Sequence, residues 1–93
     1  MSQPSEHIAD LVAEETRVQI PWYVVLFNDV IHSFDDVIIQ LMKATGCAQS
    51  RAEALTWTVH SKGKARVFDG SFDDCFRVLS VLREIALVSE IQG

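Results

Sequence analysis

From residue 21 onward the spacing of apolar residues changes period several times, and each change marks an element. Residues 21–27 (PWYVVLF) are a proline followed by an unbroken apolar, β-branched and aromatic run, the pattern of a buried strand. The run stops on Asn28-Asp29, a pair that favours turns because short polar side chains bond nearby backbone. Phe34, Val37, Ile38, Leu41 and Met42 then recur at i, i+3, i+4, i+7 and i+8, one continuous face of a helix. Ser33 is placed to cap it, with Asp35 and Asp36 in its first turn and Gly46 as its stop. A second helix begins within residues 48–50, where Ser50-Arg51-Ala52-Glu53 has capping-box spacing. Ala52, Leu55 and Val59 form its buried face, Thr56 and His60 flank it, and Gly63 ends it.

Residues 64–69 (KARVFD) predict a short strand, broken by Gly70. Ser71 caps a third helix with Asp73 and Asp74 in its first turn. Its buried stripe is Phe72, Cys75, Val78, Leu79, Leu82, Ile85 and Ala86, and residues 88–91 predict a short edge strand. The order β-α-α-β-α-β implies an α+β fold, a small open sheet with its helices packed on one face. Residues 1–19 are polar and acidic, and Ile8, Leu11 and Val12 are too few to hold an isolated helix. We therefore expect a flexible N-terminal tail over 1–19 and one folded domain over 20–93.

Composition narrows the function. Ninety-three residues, 48% hydrophobic and 23% charged, suit a single domain with a modest core. A shallow pocket fits such a chain better than a deep catalytic cleft. The net charge of −5 argues against nucleic acid, whose binders cluster Lys and Arg. The local group Lys62, Lys64 and Arg66 reads as a solvated helix end and loop. Cys47 and Cys75 are far apart, with no CxxC and no histidine at ligand spacing, so no metal site is expected. Both read as small buried hydrophobes. No apolar run approaches the ~20 residues of a membrane span, and the N-terminus lacks a signal-peptide core. The expectation is a soluble cytoplasmic protein with no membrane partner.

Three polar residues stand at element ends: Asn28 and Asp29 after the first strand, and His60 in the last turn of the second helix. Each has an ordinary explanation, a turn for the first two and the helix dipole for the third. No nucleophile elbow or phosphate loop is present, and Cys75, the thiol to consider as a partner for His60, lies on an apolar stripe. Neither an enzyme nor a cofactor is expected.

The run VVLFNDVIHSFDDVIIQLMKATGC, followed by RAEALTWTVHSKGKARVF, resembles the ClpS family of Clp protease adaptors. The shared features are a strand ending in Asn-Asp, a helix with a Val-rich face, and a second helix ending in Val-His ahead of Gly-Lys. The resemblance covers residues 21 to about 88. It implies a three-stranded antiparallel sheet with three helices, as in the C-terminal domain of the ribosomal stalk protein. It also implies a recognition protein that binds substrates through an N-terminal Leu, Phe, Tyr or Trp bearing a free α-amino group (an N-degron). Such a protein acts as a monomer and delivers its cargo to the N-terminal domain of a Clp AAA+ unfoldase, which engages the flexible tail. Carried onto this chain, the resemblance makes Asn28, Asp29 and His60 the acceptors for the α-amino group. It makes Phe34, Val37, Ile38, Ile39, Thr56 and Val59 the walls of the hydrophobic pocket. An ammonium has three donors and no acceptor, so it needs acceptors around it.

The chain departs from the family at several positions. Val30 stands where many members carry a second acid, which weakens electrostatic capture of the amine. His32-Ser33-Phe34 replaces a common Thr-Pro-Met, and Thr56 replaces a common Met. Phe34 narrows one wall while Thr56 opens the opposite one; the two changes either compensate or shift the preference among bulky residues. Two alternatives stand beside the adaptor: a degenerate adaptor that no longer reads N-terminal residues, and a stalk-like protein-interaction module that needs none of the three polar residues.

Overall fold

A computed structural model describes residues 21–93 of the chain, so the tail expected over 1–19 lies outside the described residues. The elements are β1 (Trp22–Phe27), α1 (Phe34–Thr45), α2 (Gln49–Lys62), β2 (Lys64–Gly70), α3 (Phe72–Arg83) and β3 (Ser89–Gln92). They form one antiparallel sheet in the order β2-β1-β3 with three helices, the expected α+β architecture. β1 is central, which is why its run is apolar: Val24 and Leu26 are fully buried and Val25 is nearly so. The register with β2 jumps from Val24↔Phe68 to Val25↔Arg66, leaving Val67 as an extra residue. This bulge lets both Val67 and Phe68 pack on the core side. Leu41, Ala44, Ala52, Leu55, Val59, Cys75, Val78 and Leu82 of the helices close over that face. On the other face the Arg66 guanidinium stacks 3.8 Å above the Tyr23 ring.

Local signals explain most helix ends. The Ser33 and Ser71 hydroxyls accept from the backbone N–H of Asp36 and Asp74 at 3.1 Å each, and both helices carry two acids in their first turn. Gly46 and Gly63 end α1 and α2 in the left-handed region, at φ 74° and 89°. α2 starts within the expected residues 48–50, but without the expected capping box. Ala48 is its N-cap, no side chain caps it, and Ser50 lies inside the helix rather than in a capping box. Cys47, just before the N-cap, packs against the core, and the first helical bond runs from Ala52 N–H to Ala48 O at 3.0 Å.

The end of α3 also differs. The helix stops at Arg83, so Ile85 and Ala86 fall in the connection to β3, and Ala86 is exposed at φ 63°. Phe72 is about half exposed and meets the edge of Trp22 at a centroid distance of 5.2 Å. Gln40 is a polar member of the interior that the apolar pattern did not mark. Its amide donates to the Val81 carbonyl at 2.6 Å and ties α1 to α3. Burial pushes the Cys75 thiol pKa up, as suits a core residue rather than a nucleophile.

Candidate functional site

β1 ends in a knot of backbone bonds that brings three segments together. Phe27 N–H donates to Val88 O, just before β3, and Asn28 N–H donates to Gly63 O, the cap of α2; both bonds are 2.9 Å. The end of β1, the end of α2 and the α3–β3 connection therefore meet at one place. A pocket of about 360 Å³ opens there. Leu26, Val37, Val59 and Leu87 give it apolar surface, Phe34 and Thr56 stand on facing helices, and Asn28, Asp29, His32 and His60 supply polar groups. An apolar cavity of about 150 Å³ already holds a benzene ring, so this pocket has room for an aromatic side chain and the head of a peptide.

Helical geometry explains the α2 wall. Thr56, Val59 and His60 are at i, i+3 and i+4, which places them on one face. Thr56 is buried because its hydroxyl donates to the Ala52 carbonyl at 2.7 Å, so it presents its methyl group without leaving a polar atom unpaired. On α1, Phe34 and Val37 reach the pocket. Ile38 and Ile39, expected in the wall, are not among its lining residues. Ile38 turns onto the core and Ile39 is 62% exposed, because each step along a helix rotates the side chain by about 100°.

The polar groups fall into two kinds. Asp29 is tied into its own loop: Oδ1 accepts from the N–H groups of Ile31 and His32 at 2.9 Å each, and Oδ2 faces His32 Nδ1 at 2.8 Å. Three of the roughly four lone-pair positions of a carboxylate are thus used within the loop. Burial raises the Asp29 pKa, but the hydrogen bonds from His32 and Ile31 outweigh it and hold the carboxyl below its usual value. The other ring nitrogen of His32, Nε2, meets the Ile85 carbonyl at 2.5 Å. The Asp29 carboxylate, followed by that carbonyl, pushes the His32 pKa up.

Asn28 and His60 are different. Both are exposed, and neither side chain has a hydrogen-bond partner among the described residues. Their unused acceptors stand at the mouth of an apolar pocket. The His60 ring is oriented by edge contacts instead, 5.3 Å from Phe34 and 6.1 Å from Trp57, with Phe34 and Trp57 themselves 4.6 Å apart. Trp57 was not anticipated at the site. Its signal was present, one helical turn before His60 on the same side of α2. Among the described residues no group of three or more His, Cys, Asp or Glu is arranged to hold a metal ion. No described helix is long and apolar enough to cross a membrane.

Fold and site define a small α+β domain that carries an apolar pocket with a polar mouth at the end of its central strand. The chain belongs to the ClpS family: the family's sequence model, described as ATP-dependent Clp protease adaptor protein ClpS, matches residues 17–90. The family is one of adaptors rather than catalysts. Among curated proteins, the chain is 37% identical over 78 residues to the human E3 ubiquitin-protein ligase UBR2, a match covering 84% of this chain and 4% of the ligase. It is 37% identical over 54 residues to human E3 ubiquitin-protein ligase UBR1, covering 58% of this chain and 3% of the ligase. The chain therefore spans only a few per cent of the length of these relatives. Among solved structures, Agrobacterium tumefaciens ClpS2 bound to L-phenylalaninamide superimposes with a TM-score of 0.66 at 18% identity. That match covers 77% of this chain and 96% of the other and establishes the shared fold.

Proposed function

We propose that residues 20–93 form a recognition domain for proteins whose N-terminal residue is Leu, Phe, Tyr or Trp with a free α-amino group. In this reading the domain delivers them to a Clp AAA+ unfoldase by docking on the unfoldase's N-terminal domain, with residues 1–19 as the part the unfoldase engages. The observation that carries the reading is the joining of an apolar pocket to acceptors at its mouth that have no partner among the described residues. Asn28 offers its side-chain carbonyl and a neutral His60 offers a ring nitrogen to an ammonium. Asp29 adds negative charge and one remaining lone-pair position. Phe34, Val37, Thr56 and Val59 enclose the side chain. Burying one such side chain contributes about 1.5–3 kcal/mol, and each hydrogen bond to the charged amine about the same. Phenylalaninamide, the ligand of the structurally similar Agrobacterium protein, carries both features: an aromatic ring and a free amine.

A second reading, a degenerate adaptor that no longer reads N-termini, gains some support from the pairing of Asp29 with His32 and from Val30 at the rim. One experiment separates the two. Fluorescence anisotropy is measured with labelled peptides that differ only at the first residue: Phe, Leu, Tyr, Trp, Met, Ser and acetylated Phe. The adaptor reading predicts binding of the bulky free amines and its loss on acetylation. Equal affinity for Phe and acetylated Phe, or no binding by a folded protein, would overturn it.

A further inference from the structure

His32 is the one pocket residue whose two ring nitrogens both face acceptors. Nδ1 lies 2.8 Å from the Asp29 carboxylate and Nε2 lies 2.5 Å from the Ile85 carbonyl. Neither partner can donate, since an ionised carboxylate and a backbone carbonyl only accept. Both bonds therefore exist together only when both ring nitrogens carry hydrogen. In a neutral ring, one lone pair would point at an oxygen. The ring side chain is only 13% exposed, so water does not readily replace a lost partner.

The two acceptors belong to different walls of the pocket. Asp29 is in the β1–α1 loop with Asn28 and Val30, whereas Ile85 is in the α3–β3 connection with Leu87. That connection needs holding, because Ala86 sits in the left-handed region at φ 63°, unfavourable for any residue with a Cβ. The charges acting on the ring are Asp29 from its own loop and, more weakly, Asp36 from the first turn of α1; both favour the imidazolium. Glu84, beside Ile85, is engaged elsewhere, with Lys43 at 2.8 Å and with Gln40.

We propose that His32 is a positioning residue of the pocket, a proton-dependent clamp. Its doubly protonated ring ties the β1–α1 loop to the α3–β3 connection, and loss of one proton releases the connection and loosens the pocket mouth. The Asp29 carboxylate is the stronger acceptor and keeps the remaining N–H, so the bond to Ile85 is the one that breaks. Resting on the adaptor reading, the clamp further implies that affinity for a bulky N-terminus falls as pH rises through the His32 titration.

The test uses wild type, His32→Gln and His32→Arg. Gln is neutral at every pH, while Arg keeps its charge and several donors at every pH. Without peptide, the 15N spectrum of the His32 ring should show two protonated nitrogens at pH 6. The backbone amides of Asn28 and Leu87 should shift with the His32 midpoint in wild type and stay flat in His32→Arg. A singly protonated ring at pH 6, or Asn28 and Leu87 amides that ignore the titration, overturns the clamp. With a Phe-headed peptide, the ratio of wild-type to His32→Arg affinity cancels every pH effect that the two proteins and the peptide share. It should fall about threefold to tenfold between pH 6 and 8.5, which is about 0.7–1.4 kcal/mol. A constant ratio overturns the link to binding. Absence of peptide binding in all three proteins, with the ring and amide results intact, would reject the adaptor reading and leave the clamp standing.

Discussion

Two histidines border the pocket, and the fold treats them in opposite ways. His32 has an acceptor on each ring nitrogen. His60 has none among the described residues and is steadied only by the ring edges of Phe34 and Trp57. In the loop that carries His32, Asp29 takes three donors and Ser33 caps α1. The end of α2 that carries His60 is fixed by its backbone, through Gly63 and Asn28, and its polar side chain is left open. A side chain whose bonding capacity is filled by its own protein serves as scaffold. One held in place by packing, with its acceptors unused, is free to meet a ligand. In the proposed reading, recognition of the amine therefore falls mainly on Asn28 and His60, with Asp29 acting through its charge and its turn.

The largest effect should come from the open side. His60→Ala removes an acceptor for a charged donor, worth roughly 1.5–3 kcal/mol, so affinity for a Phe-headed peptide should fall about tenfold to a hundredfold. Its thermal midpoint should stay close to wild type because the exposed ring holds nothing together. Binding titration and a melting curve check both parts, and unchanged affinity would erase the contrast between the two histidines.

Next in size is Phe34→Ala. It removes pocket surface and the edge contacts that orient His60, each aromatic pair being worth about 0.5–1.5 kcal/mol, so affinity should drop about fivefold to tenfold. Trp57→Ala removes the contacts to His60 and Phe34 but no pocket-lining surface, and should cost about threefold or less by the same scale. If Trp57→Ala proves the more damaging of the two, the packing account of His60 is wrong.

The scaffold side should show itself in stability against pH. The His32 pKa is raised on folding, so its stabilisation is complete below the unfolded value of about 6.5 and is lost as pH rises through the folded value. The Asp29 pKa is lowered, so its stabilisation is present above about 4 and is lost as pH falls through the folded value. The difference in melting temperature between wild type and His32→Gln should therefore be greatest in mildly acidic buffer and shrink toward alkaline pH. A difference that grows with pH would contradict the protonated clamp. The smallest effect concerns the connection that His32 grips. Ala86→Gly relieves a left-handed residue at the cost of added freedom in the unfolded chain, for a net gain of no more than ~1 kcal/mol. Chemical denaturation measures it, and a loss of stability would mean that Ala86 is not strained.

Much of this arrangement could be read from the residues alone, because its determinants are local. The strand run of 21–27, the serine caps at 33 and 71 and the glycine stops at 46 and 63 each act within a few residues. What escaped depends on partners distant in the chain and carrying no side-chain label. Gln40 bonds a backbone carbonyl 41 residues away, and His32 one 53 residues away. Any residue has such a carbonyl, so neither pairing leaves a trace in sequence. The α2 start fell within the expected 48–50, but the capping box did not form: Ala48 is the N-cap and Ser50 lies inside the helix. The assignment of Ile38 and Ile39 to the wall failed for a geometric reason: Ile38 is on the part of the α1 stripe that faces the core, and Ile39 lies off the stripe and is exposed.

The most direct test of the account is the 15N spectrum of the histidine rings at fixed mildly acidic pH, recorded with Phe-headed peptide, with acetylated peptide and without either. His7 and His32 serve as internal references beside His60. The account predicts that free-amine peptide shifts the His60 ring nitrogens toward the pattern of an imidazole accepting a hydrogen bond, that acetylated peptide does not, and that His32 stays doubly protonated throughout. A His60 ring that does not respond to saturating free-amine peptide, or that responds equally to the acetylated one, would contradict the claim that this pocket reads a free N-terminus.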